Sequence, residues 1–317
     1  MFVINTFHKD GFQIITLSDL ASQTSAEIIP SCGGILHAFN VFHQNNFINV
    51  IDHYENKEDF EQHVTSKGFK SCKLSPFACR IKNATYQFEG TTYQIQKFLL
   101  GKNAIHGLIY DEPFTILQQY ANQENATLIL QHQYHGTDDG YPFNFDCIVT
   151  YQLTFNNELT ISTGIINRDK NRIPVQDGWH PYFTLGKKID DLELSFQSNE
   201  LVEFDDQLVP SGKLTGYGDF IVSKQIKDAF LDNCFTLNFN APPPLCILKD
   251  PNNKIQVEIR PDKSYPYLQL YTPPHRQSIA IENLSAPPDA FNNGIDLIML
   301  PPGENAVFRT SYKVTTF

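Results

Sequence analysis

Phe143-Asn144-Phe145-Asp146-Cys147-Ile148-Val149-Thr150-Tyr151-Gln152-Leu153-Thr154-Phe155-Asn156-Asn157-Glu158-Leu159-Thr160-Ile161-Ser162-Thr163-Gly164-Ile165 carries the clearest structural signal in the chain. Phe143, Phe145, Cys147, Val149, Tyr151, Leu153 and Phe155 fall on one set of alternate positions. Asn144, Asp146, Ile148, Thr150, Gln152 and Thr154 fall on the other. A period of two over this length predicts a long half-buried strand, because successive side chains of a strand point to opposite faces. Leu159, Ile161, Thr163 and Ile165 then resume the alternation. The intervening Asn156-Asn157 tolerates positive φ, so the segment reads as a hairpin with its turn at that pair.

Working outward, the same pattern predicts strands near 91–98, 126–134, 191–197, 254–260, 266–272, 278–283 and 306–315. Helical patterning is scarce: residues 56–66 alone offer an N-cap candidate followed by acids in the first turn. Phe (25) and Tyr (14) are abundant and Met (2) is rare, which also favours strands. Many strands at hairpin spacing point to an all-β sandwich or barrel, and 317 residues fit one such domain spanning 1–317.

The net charge of −11 argues against nucleic acid, whose phosphates need a basic face. One locally basic segment exists, Lys67, Lys70, Lys73, Arg80 and Lys82, read here as a solvated loop or as a contact for a phosphorylated ligand. Six scattered cysteines without a C-x-x-C pair suggest free thiols of a reducing compartment. No apolar run approaches the roughly 20 residues that span a bilayer, and the first residues lack a signal-peptide pattern. A cytoplasmic protein without membrane partners is expected.

Conventional metal and nucleotide motifs are missing. His132 and His135 are three apart on an expected strand and point to opposite faces. Asp138-Asp139-Gly140 lacks the further ligands of a calcium loop. There is no phosphate-binding glycine loop and no G-x-S-x-G nucleophile elbow.

Three segments carry candidate acid–base groups: Asn103-Ala104-Ile105-His106-Gly107, Gly178-Trp179-His180-Pro181-Tyr182-Phe183, and Ile279-Ala280-Ile281-Glu282-Asn283-Leu284. Taken singly, each has an ordinary explanation. His106 precedes a glycine and suits a turn, His180 adjoins the only Trp and suits an aromatic cluster, and alternation puts Glu282 opposite Ile279 and Ile281, on a face that could be solvated. Further pieces follow one order: Cys79-Arg80-Ile81 with Phe88-Glu89-Gly90, Asp139-Gly140-Tyr141-Pro142, Leu231-Asp232-Asn233-Cys234-Phe235, Pro288-Asp289-Ala290 and Leu300-Pro301-Pro302-Gly303-Glu304. In this wording and order the chain resembles the aldose 1-epimerase (galactose mutarotase) family. Cys79 stands where the family pattern has Asn, Leu108 where it has a second Gly, and Trp179 and Pro181 also depart from it.

The resemblance implies a large antiparallel β-sandwich, the galactose mutarotase-like supersandwich, with an open sugar cleft and no cofactor or metal. It implies Glu282 as the base at the anomeric hydroxyl and His180 as the acid at the ring oxygen. His106 would bind substrate or polarise the ring oxygen, and Arg80 and Asp232 would hold hydroxyls. Trp179 is a candidate for stacking on a sugar face or for core packing. The substrate expected is a free hexose. A hexose 6-phosphate and a non-catalytic sugar-binding role are the alternatives.

Overall fold

The computed structural model describes residues 1–317 and is built almost wholly of antiparallel strands. The hairpin forms as Asn144–Thr154 and Glu158–Asn167, paired from Phe145↔Asn167 to Thr154↔Glu158. Asn156 and Asn157 both have positive φ, at 64° and 56°. The loop takes in Phe155 as well, so that ring leaves the inward row and packs edge-on against Phe2 at the surface.

These two strands sit in a nine-stranded sheet with Thr115–Ala121, Asn125–His135, Asn305–Thr316, Ile255–Pro261, Cys246–Asp250, Glu193–Phe196 and Lys224–Gln225. An eight-stranded sheet faces it. Its order runs Pro210–Gly216, Glu200–Phe204, Asp232–Thr236, Tyr267–Tyr271, Ile279–Leu284, Gly178–Trp179 and Lys73–Leu74, with Tyr182–Phe183 also on the Ile279–Leu284 strand. The inward rows of both sheets, among them Cys147, Val149, Tyr151, Leu268, Leu270, Ile279 and Ile281, form one continuous core. Burying that apolar surface is the dominant favourable term in folding. A five-stranded N-terminal sheet, Phe2 to Asn49, packs on the same core through Leu17, Ile28 and Phe39.

The expected helix spans Lys57–His63, with Asn56 as N-cap accepting from the Asp59 amide. It helps cover the outer face of the eight-stranded sheet, where a second apolar cluster gathers Phe60, Phe69, Cys79, Ile105, Cys234 and Leu284. The expected strand at 91–98 is shorter, Thr91–Gln94. All six cysteines are free and buried. No helix is long and apolar enough to cross a membrane.

Candidate active site

The Ile279–Leu284 strand is buried on both faces. Ile279 and Ile281 point into the sandwich core, so alternation sends Glu282 to the other side. That side is not open water. Loops and a small three-stranded sheet, Leu99–Leu100, Asn103–Ile105 and Arg80–Ile81, stand over it and leave a cavity of about 280 Å³. Five of the six expected site residues line it: Arg80, His106, His180, Asp232 and Glu282.

The eight-stranded sheet supplies the floor. Glu282 pairs with Gln269 and Gln269 with Cys234, which puts three neighbouring strands in one row beneath the cavity. Asp232 lies two positions from Cys234 on the same face and accepts from Gln269 Nε2 at 3.1 Å. His180 follows the Gly178–Trp179 strand, its amide bonded to Cys72 O at 3.1 Å and its carbonyl to the Ser71 amide at 2.9 Å. The small sheet supplies the wall, where Ile105 pairs with Arg80. His106 takes φ of 63° and its amide bonds Cys79 O at 3.0 Å. Gly107, also left-handed, lets this turn press on the 75 position, since a Cβ there would lie 2.4 Å from Ser75 O.

His180 Nε2 stands 3.3 Å from Glu282 Oε1, with the two side chains only 5% and 2% exposed. The His106 and His180 rings meet edge-to-face at 4.8 Å, and Tyr182 stacks on His180 at 5.1 Å. Glu282 Oε2, Gln269 Oε1 and Nδ1 of both histidines are buried without hydrogen-bond partners. Buried polar groups are normally satisfied, so this cluster of unpaired atoms makes the cavity the candidate site for a polar ligand.

Burial sets the electrostatics. It pushes the Glu282 carboxyl well above its usual range, helped by nearby Asp232 and opposed by Arg80. It pushes the His180 imidazole down to about 3. His106 is likewise driven down by burial, then by His180 and Arg80, and Asp232 is raised by burial against Arg80. Desolvation disfavours whichever form is charged, so burial favours the neutral carboxyl and the neutral imidazole alike.

Trp179 does not line this cavity. Adjacent strand residues point to opposite faces, so with His180 facing the cavity Trp179 must face the core. Its Nε1 donates to Thr163 Oγ1 at 3.2 Å and its ring sits against Tyr151. The basic segment is a solvated loop only in part: Lys67 is exposed, Lys70 and Lys82 are partly buried. Lys73 is wholly buried, with Nζ 2.5 Å from Asp177 Oδ1 and donating to Gly178 O at 2.7 Å. Lys67, Lys70 and Lys82 pair with Asp59, Asp52 and Asp205.

Sequence reasoning missed Gln269, Tyr271, Tyr182, Phe69 and Phe98, which also line the cavity. One signal was available: Gln269 interrupts Tyr267-Leu268-Gln269-Leu270-Tyr271, and a polar residue inside an apolar strand is the informative exception.

His106, His180 and Glu282 also bring potential metal-ligand atoms within 4.8 Å of one another. The family model described as Aldose 1-epimerase matches residues 13–313. A protein of Escherichia coli called "Uncharacterized protein YihR" is 28% identical over 239 residues, covering 73% of this chain and 74% of its own. An aldose 1-epimerase of Haemophilus influenzae is 26% identical over 234 residues, covering 67% of this chain and 66% of its own. The crystal structure of a galactose mutarotase-like protein from Clostridium acetobutylicum superimposes with a TM-score of 0.87 over 100% of this chain and 99% of that one, at 17% identity, and so shares the fold. With a family match over nearly the whole length on a mutarotase-like sandwich, the chain belongs to the aldose 1-epimerase family, an isomerase family.

Proposed function

We propose that this protein interconverts the α and β anomers of a free hexose, with Glu282 and His180 as the acid–base pair. The observation that carries the reading is the 3.3 Å contact between two buried titratable groups on the floor of a polar cavity. In the reactive form a proton sits on His180. Glu282 then takes the proton from O1, the C1–O5 bond breaks as the C1 carbonyl forms, and O5 takes the proton from His180. Rotation about C1–C2 presents the other carbonyl face. O5 attacks it while returning its proton to the imidazole, and O1 recovers the proton from Glu282. Each ring opening leaves the pair as carboxyl and neutral imidazole, the form that burial favours at rest. Arg80, a donor only, and Asp232, an acceptor when ionised, suit the remaining hydroxyls, with His106 beside the ring oxygen.

A 6-phosphate substrate is the second reading, because Lys67 and Lys70 line a neighbouring chamber of about 310 Å³ that shares Tyr182 and Tyr271 with the cavity. Each of those ammonium groups already lies 2.6 Å from a carboxylate. A phosphate there meets a nearly neutral surface, which favours the free sugar.

Polarimetry of freshly dissolved single anomers, across free and phosphorylated hexoses, tests both. The free sugar should relax faster than its 6-phosphate, and Glu282→Gln should slow relaxation at least about a hundredfold, the lower end of what a positioned base contributes. Failure to accelerate any sugar, or a Gln variant within a few-fold of wild type, removes this reading. A 6-phosphate preference lost in Lys67→Gln/Lys70→Gln would establish the second.

A further inference from the structure

The side chains that face the sugar also form a donor set that anomer exchange does not call for. Two imidazoles and one carboxylate present ligand atoms within 4.8 Å of one another, and the His180–Glu282 contact is already 3.3 Å. Zinc bonds of about 2.0–2.2 Å in tetrahedral geometry place ligand atoms roughly 3.3–3.5 Å apart. One pair therefore has the required spacing. Any separation at the 4.8 Å limit must close by about 1.5 Å, the difference between 4.8 and 3.3 Å, for the trio to share one ion.

The residues are 7%, 4% and 2% exposed for His106, His180 and Glu282, so little water competes for the donors. Three ligands leave a fourth position open, and all three line the cavity that the sugar would occupy. Magnesium and calcium demand shells of six or more oxygens, which a trio with one carboxylate does not offer.

We propose that His106, His180 and Glu282 bind a divalent cation of the zinc class, and that this ion and the sugar exclude one another, making zinc an inhibitor of the site. The affinity falls below that of a dedicated zinc site for two structural reasons. Neither His106 Nδ1 nor His180 Nδ1 has a hydrogen-bonding partner, and such outer partners are typically worth 10–100-fold in metal affinity. The Arg80 guanidinium lines the same cavity and repels a cation.

The inhibitory half of the proposal rests on the anomer-exchange reading, whereas the binding half does not. The test is a competition titration of the whole protein with zinc sulfate against a chromophoric chelator, with magnesium in parallel. Expected are one zinc per chain and no magnesium binding. Affinity should fall at least tenfold in Glu282→Gln and in His180→Asn, each checked by circular dichroism, and be unchanged in the exposed control His135→Asn. Saturating hexose should weaken zinc binding, and zinc should raise the apparent KM. Equal affinity in all variants would assign the metal to surface histidines and overturn the proposal, as would zinc binding indifferent to hexose or no binding at millimolar zinc. A protein that equilibrates sugar anomers but ignores zinc sinks this inference alone. One that binds zinc at the trio yet accelerates no sugar sinks the functional reading and the inhibitory half with it, and leaves the binding half standing.

Discussion

Lys73→Met should destabilise the protein far more than an ordinary lysine substitution, and the structure gives the scale. Lys73 is 0% exposed, and its ammonium donates to Asp177 Oδ1 and Gly178 O and lies 4.5 Å from the Trp179 ring centroid. Methionine fills similar volume, so little cavity cost arises. The loss lies in Asp177, also wholly buried, which keeps only the Tyr265 hydroxyl at 2.7 Å as a side-chain donor. Stranding one partner of a buried ion pair costs about 3–5 kcal/mol. At about 2–4 °C per kcal/mol for a large domain, melting should fall by roughly 6–20 °C. Removing the whole polar cluster should reverse this. Lys73→Met/Asp177→Leu/Tyr265→Phe replaces charges and hydroxyl with apolar groups and should return to within about 2 kcal/mol of wild type. The assay is thermal unfolding by circular dichroism, with polarimetry at 25 °C on each variant. A single variant that melts within 2 °C of wild type, or a triple variant no better than the single, would refute the argument. Both hydrogen bonds of the Lys73 ammonium go to residues 177 and 178, just before His180, so the triple variant should also lose kcat despite its stability.

His180→Asn should lower kcat steeply with a smaller change in KM, since an acid acts chiefly in the transition state; a rise in KM alone would make it a binding residue. Burial moves the imidazole down to about 3 and the carboxyl up. The kcat/KM profile should then show an acid limb far below about 6.5 and an alkaline limb above the ordinary carboxylate range, and an acid limb at the usual imidazole value would contradict these shifts. Cys79 holds φ of 54°, a region asparagine tolerates and cysteine resists, so Cys79→Asn should raise stability by up to about 1 kcal/mol; a lower melting temperature would show that burying the amide outweighs the relief of strain.

Much of this architecture was legible because period-two alternation is imposed by the pleat itself. The hairpin at 143–165 and the strands ending at Leu284 and Thr316 are recognisable from apolar spacing alone. The family wording pointed to Arg80, His106, His180, Asp232 and Glu282, and the fold brings these five to one cavity across gaps of up to two hundred residues. What stayed hidden depends on the third dimension. Alternation says that Trp179 and His180 point oppositely but not which faces the core. Lys73 looked like surface charge because its partner, Asp177, is 104 positions away. Glu282 looked solvated because nothing local announces that the loop at 65–69 and the small sheet around 98–106 cover its face.

The division between floor and roof has a consequence for how sugar preference can change. Asp232, Gln269 and Glu282 hang from hydrogen-bonded strands that also anchor the main core, so they cannot shift without disturbing the sandwich. Thr65, Ser66 and Phe98 meet the same cavity from connecting segments, and Leu100 from the edge of the small sheet, outside the two large sheets. Grafting those two segments from another member of the family should exchange the sugars admitted while leaving bond-breaking untouched. Selectivity and turnover are then separable parts of the molecule, free to drift at different speeds.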